Sequence, residues 1–141
     1  MTVPRFIETN ILLRQIARDE TLQAKLTDQL FQQLANGEFE GLLSMTVFFE
    51  TAFVLENTYG MSRANVAAAI LETSRAEGIR MLDGEIDILP RTLDYYLTYS
   101  QLSFADCYHA ALALEHCNGE IYTFDKDFRR VPGIARLEPG A

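Results

Sequence analysis

Short apolar runs alternate along this chain with segments whose apolar positions recur every three or four residues, which predicts strands and helices in turn. Arg5-Phe6-Ile7-Glu8 reads as an apolar strand ending at a carboxylate, and Thr9-Asn10 leads from it into a helical segment, Ile11 to Ala17. From Thr21 to Ala35, Leu22, Leu26, Leu30, Phe31 and Leu34 fall on one helix face, and Gly37 closes it. Gly41-Leu42-Leu43 is a second strand, and Ser44 caps a helix from Thr46 to Thr58, apolar at Val47, Phe48, Ala52 and Leu55. Gly60 ends it; Ser62 opens the next helix, Arg63 to Ala76, which Gly78 ends. Ile79 to Leu82 is a third strand, followed by a helix from Ile86 to Tyr99 in which Pro90 restricts where the regular part begins. Ser103 caps a helix from Phe104 to His116. Ile121 to Phe124 is a fourth strand, again ending at a carboxylate, Ala135 to Leu137 a short fifth at the edge, and Pro139-Gly140-Ala141 a tail.

Strands separated by helices imply parallel pairing through right-handed crossovers. The expected fold is a three-layer α/β/α sandwich around a mostly parallel sheet of four to five strands. With 141 residues, 48% of them hydrophobic, and no repeat or linker, residues 1–141 read as one domain with a sizeable core. Ligands of such sheets sit beyond the carboxyl ends of the strands. Glu8 and Asp125 are therefore expected on one rim.

The longest apolar stretch, Val66 to Leu71, is far shorter than the ~20 residues that span a bilayer, and Met1 to Arg5 lacks a secretory pattern. The expectation is a cytoplasmic protein with no membrane segment. A net charge of −8 argues against a passive nucleic-acid binder, which would show a basic surface. It leaves room for a nuclease whose acids are offset by divalent cations. Cys107 and Cys117 lie ten residues apart on one helix or its end, ~15 Å, beyond the ~7 Å reach of a disulfide. They are expected as buried thiols. His109 and His116 are ~10 Å apart along the same helix and have no cysteine partner at zinc-site spacing, so zinc is a poor fit.

Four carboxylates stand beside apolar runs, where a charge is costly unless compensated: Glu8, Glu50, Asp106 and Asp125, with Asp127 close to the last. Each has a second reading. Glu50 fits a solvated helix face, Asp106 complements a helix dipole, and Asp125 or Asp127 fits a turn or an N-cap. Together, with two of them at strand ends, they point to a metal centre. Hard oxygen ligands favour Mg²⁺ or Mn²⁺. Such a site activates water and stabilises the charge of phosphodiester hydrolysis. A small-molecule phosphatase on a similar scaffold lacks its phosphate-cradling loop here, because none of the eight glycines clusters.

The motifs resemble those of PIN-domain nucleases, specifically the VapC-type toxins of toxin–antitoxin pairs. The opening strand leading to Asp-Thr-Asn is matched by Phe6-Ile7-Glu8-Thr9-Asn10, and the mid-chain acid by Ser44 to Glu50. The later helix with its initial Asp is matched by Phe104 to Ala113, and Thr-x-Asp-x-Asp-Phe by Thr123 to Phe128. The resemblance implies a metal-dependent endoribonuclease that leaves 5′-phosphate and 3′-hydroxyl ends. Glu8, Glu50, Asp106 and Asp125 would hold Mg²⁺ or Mn²⁺, Asp127 would help, and Asn10 and Thr123 would fix the acids by hydrogen bonds. Arg14, Arg63, Lys126, Arg129 and Arg130 are candidates to meet the RNA backbone. The resemblance also implies a homodimer and a small antitoxin laid across the site, its arginine facing the acids. Phe48, Phe49, Phe53 and Tyr59 exceed what one core-facing stripe needs. One position departs from the family: Glu8 stands where Asp is usual. Its extra methylene shifts the carboxylate by roughly 1 Å, which makes a nuclease-like binding module with weak or no activity the alternative.

Overall fold

The computed structural model describes residues 3–82 and 86–140; Met1 and Thr2 of the N-terminal segment and Ala141 of the tail lie outside them. Five parallel strands form one sheet in the order β3-β2-β1-β4-β5: β1 Arg5–Ile7, β2 Gly41–Leu43, β3 Ile79–Met81, β4 Glu120–Tyr122 and β5 Ala135–Leu137. The six helices among the described residues are α1 Thr9–Ala17, α2 Thr21–Ala35, α3 Met45–Asn57, α4 Arg63–Ser74, α5 Leu89–Thr98 and α6 Phe104–His116, and they cover both sides of the sheet. The expected α/β/α sandwich is what the chain forms. None of these helices is long and apolar enough to cross a membrane.

The three central strands are apolar on both faces because helices cover both. Phe6 pairs in register with Leu42 on one side and Ile121 on the other, and all three are fully buried. α6 lies on β1 and β4, with α5 against it. Its buried Ala110, Ala111 and Ala113 let the helix backbone approach the sheet closely. Gly78, at φ +82° just before β3, and Gly119, at φ +80° just before β4, are needed as glycines: a Cβ would strike the carbonyl oxygens of Leu34 and Gly133 respectively.

The element ends differ from the sequence pattern for local reasons. β1 stops at Ile7 and α1 starts at Thr9, because Glu8 turns the chain and caps the helix. β4 stops at Tyr122, so Asp125 stands three residues past the strand. The segment expected as one helix from Ile86 to Tyr99 is a 3₁₀ turn, Ile86–Ile88, followed by α5, with Pro90 in its first turn, where the missing N–H costs nothing. Cys107 and Cys117 are free and buried.

Candidate metal centre

β1 ends in the middle of the sheet, and the residue after it carries the first acid. The Glu8 N–H still donates to the Tyr122 carbonyl at 3.1 Å, as the strand ladder would. Its backbone then bends, and a side-chain oxygen accepts from the Asn10 N–H at 3.3 Å, capping α1. The residue is only 4% exposed. Burial first, then the charges of Asp106 and Glu50, push its pKa well above the usual carboxylate range, and hydrogen bonds from Thr9 and Asn10 only partly oppose this.

Glu50 reaches the same place from the second turn of α3. Its Oε1 accepts from the Thr9 hydroxyl at 2.8 Å, and burial, with Asp106 nearby, raises its pKa. Asp106 arrives from the first turn of α6. There it forms a reciprocal cap with Ser103: the Ser103 N–H donates to Asp106 Oδ2 at 3.1 Å, and the Asp106 N–H to Ser103 Oγ at 3.1 Å. Burial raises its pKa, the Asp125 charge adds to the rise, and hydrogen bonds with Ser103 and Glu8 oppose it. Electrostatic contact thus runs from Glu50 through Glu8 and Asp106 to Asp125.

Asp125 is set by a small hydrogen-bonded bracket. Asn10 Nδ2 donates to Thr123 Oγ1 at 2.8 Å, and Asn10 Oδ1 accepts from the Phe124 N–H at 3.1 Å. Thr123 Oγ1 also accepts from the Asp125 N–H at 3.1 Å. The bracket ties the start of α1 to the segment after β4. Asp125 then caps the 3₁₀ turn Lys126–Arg130 by accepting from the Asp127 N–H at 2.8 Å.

A histidine joins the acids. His109, three residues beyond Asp106 on α6, is fully buried against Phe6 and Tyr108. Its Nε2 is 2.7 Å from Thr46 Oγ1, and its Nδ1, 3.6 Å from Glu50 Oε1, has no hydrogen-bond partner. Burial lowers its pKa to about 3, so the imidazole is neutral at neutral pH. Ligand atoms of Glu8, Glu50 and His109 lie within 4.8 Å of one another.

The PIN domain family matches residues 5–134. The chain belongs to that family. Among solved structures, the PIN chain is similar to VapBC2 from Rickettsia felis bound to a DNA fragment from its promoter, with TM-score 0.72, 14% identity and coverage of 95% and 97% of the two chains. It is also similar to VapC20 from Mycobacterium tuberculosis, a sarcin–ricin loop cleaving toxin, with TM-score 0.66, 20% identity and coverage of 92% and 95%. FitAcB from Neisseria gonorrhoeae aligns with TM-score 0.56, 16% identity and coverage of 95% and 96%. At these identities the likeness establishes the fold. No curated protein sequence matches.

Within the PIN fold, Glu8, Glu50, Asp106 and Asp125 come to one edge, while Asp127 is engaged by Arg130 at 3.2 Å. Arg14 is held by Gln23 and Asp19, and the exposed Arg63 pairs with Glu56 at 2.8 Å; Lys126, Arg129 and Arg130, also exposed, follow Asp125 directly in the chain. Of the surplus aromatics, Phe48 is buried, but Phe49 and Phe53 are 65% and 68% exposed, in line with exposed Met45 along α3. His109 is the residue that sequence reasoning missed. Set against His116 it makes no metal pair; the signal in the sequence is its three-residue spacing from Asp106, which puts both on one helix face.

Proposed function

We propose that this PIN domain is a divalent-metal-dependent endoribonuclease of the VapC type, acting as the toxin of a toxin–antitoxin pair. The observation that carries this reading is Glu8: a carboxylate 4% exposed at the carboxyl edge of the sheet, its proton affinity raised first by burial and then by two further carboxylates. Such a cluster calls for a cation. The donors fit one, since carboxylate oxygens from Glu8 and Glu50 meet beside an orphaned buried nitrogen. When bound, Mg²⁺ or Mn²⁺ supplies positive charge that lowers the pKa of water and stabilises phosphoryl displacement.

The remaining work belongs to the chain. Glu8 and Glu50 hold the ion with Asp106, and Thr9 orients Glu50 through its hydroxyl. Asn10 and Thr123 fix Asp125 at the rim. Lys126, Arg129 and Arg130 approach the RNA backbone beside it. The exposed Phe49 and Phe53 face of α3 suits a homodimer or an antitoxin, and an antitoxin arginine would bind the acids in a bidentate fork. The compartment is the cytoplasm, where both RNA and antitoxin are made.

The test is RNA cleavage in Mg²⁺ or Mn²⁺, abolished by EDTA and by Asp106→Asn, with 5′-phosphate and 3′-hydroxyl ends. The second reading, a binding module that does not cut, is favoured by one observation: Glu8 already serves as the cap of α1. Retained RNA binding without cleavage at any metal concentration would select it.

A further inference from the structure

We propose that His109 is a nitrogen ligand to the ion held by Glu8 and Glu50, so that the centre selects Mn²⁺ and later first-row dications over Mg²⁺. The inference rests on the reading that this rim binds a metal, and goes beyond it by adding a ligand that the acidic motif does not contain.

The starting observation is an orphan. His109 is fully buried, and its Nδ1 has no hydrogen-bond partner, whereas buried polar atoms are nearly always satisfied. The other ring nitrogen is well placed: Nε2 lies 2.7 Å from Thr46 Oγ1, which in turn lies 2.8 Å from Ser44 Oγ. The contact to Thr46 allows either tautomer, but Nδ1 has no acceptor within hydrogen-bond reach, which favours the form in which Nε2–H donates to Thr46 and Nδ1 carries a lone pair. Metal-ligating histidines are held in this way, by a hydrogen bond at the far nitrogen.

That lone pair faces Glu50 Oε1 at 3.6 Å. The separation is too long for an N–H···O bond, and two acceptors facing each other repel. An ion between them removes both problems. Two neighbouring ligand atoms, each ~2.1 Å from one octahedral ion, stand ~3.0 Å apart, so the pair would close by roughly half an ångström on binding. Glu8 supplies the next oxygen within the same 4.8 Å group. Mg²⁺ takes oxygen ligands and demands octahedral geometry, whereas imidazole suits transition metals, so the histidine shifts the preference.

The test is pulsed EPR of the intact Mn²⁺-loaded protein, with histidine in ¹⁴N and ¹⁵N form, beside a competition of Mn²⁺ against Mg²⁺. The expected result is coupling to a directly bound histidine nitrogen that changes with the isotope, persists in His116→Gln and disappears in His109→Leu. Mn²⁺ affinity of His109→Leu should fall roughly 10- to 100-fold relative to Mg²⁺ affinity. Mn²⁺ bound without histidine coupling, or coupling lost in His116→Gln, overturns this inference and leaves the nuclease reading standing. No Mn²⁺ binding at all overturns both. If His109→Leu fails to fold, the isotope response of the unmodified protein and of His116→Gln decides the matter.

Discussion

Asn10→Ala tests whether the bracket between α1 and the segment after β4 holds the rim together. The substitution deletes the donation to Thr123 Oγ1 at 2.8 Å and strips the Phe124 N–H of its acceptor at 3.1 Å. The first loss is worth about 1 kcal/mol, and an orphaned, part-buried donor costs about 1–2 kcal/mol more. The sum, about 2–3 kcal/mol, corresponds to a fall in melting temperature of roughly 6–12 °C for a domain of this size. Activity should fall further than stability alone explains. Asp125 hangs from Thr123 by one hydrogen bond, and a ~1 Å displacement at a reacting centre costs ~10²-fold in rate. Asn10→Asp separates the two effects. It keeps the acceptor for Phe124 but adds a charge to the acids, so its loss of stability should grow with pH and be largely reversed by Mn²⁺. The assays are thermal melting in EDTA and in Mn²⁺, and RNA cleavage below the melting range. A melting temperature within ~2 °C of the unaltered protein, with an unchanged cleavage rate, would refute the bracket.

Three further outcomes are expected. Glu8, Glu50 and Asp106 all have raised folded pKa values, so the folded state binds their protons more tightly than the unfolded state. Their contribution therefore favours the fold at or below the ordinary carboxylate range and declines as pH rises through the raised values, levelling off above them. Melting in EDTA should show this fall, saturating Mn²⁺ should flatten it, and stability that climbs over the same range would contradict it. Asp106→Asn should abolish cleavage while metal-free melting holds level or rises, because a repelling charge goes but an amide oxygen can still accept from Ser103; a large drop would make Asp106 a cap and nothing more. Glu8→Asp should raise cleavage at limiting Mg²⁺, with a smaller gain in Mn²⁺; equal rates at every metal concentration would show that the longer side chain is already accommodated.

The order of elements was legible because glycine and serine mark nearly every boundary in this chain. Gly37, Gly60 and Gly78 follow α2, α3 and α4 at positive φ, and Ser44, Ser62 and Ser103 cap α3, α4 and α6. Element ends were less legible where one residue has two possible employments. Glu8 continues an apolar run and so reads as strand, yet its side chain caps α1. Thr123 and Phe124 read as strand for the same reason, and instead serve the bracket with Asn10. Asp127 shows the limit for site residues. Its place in the motif suggests a helper to the metal, while its half-exposed contact with Arg130 across the 3₁₀ turn is visible only in the structure. His109 was hidden by reading histidines against each other along the chain. Its neighbours Glu50 and Thr46 are contributed by α3, and only the packing of α3 near α6 brings them together.

The same packing explains how the fold survives its own acids before any metal arrives. The carboxyl edge of a parallel sheet is also where the following helices begin. Glu8 caps the first turn of α1, and Asp106 sits in the first turn of α6, each facing a partial positive charge of roughly half a unit from the unpaired N–H groups. Asn10 donates to Glu8, Ser103 to Asp106 and the Thr9 hydroxyl to Glu50. These partial charges hold the carboxylates in place without neutralising them, as the raised proton affinities of Glu8, Glu50 and Asp106 show. The unbalanced remainder attracts a dication and disfavours an approaching phosphate. On the proposed reading an anionic RNA would gain access only once an ion is in place, with Lys126, Arg129 and Arg130 on the turn beyond Asp125 offering the next positive charges along the rim. Metal would then come first and RNA second, and the net charge of −8 that argues against a passive nucleic-acid binder would help to draw in the ion.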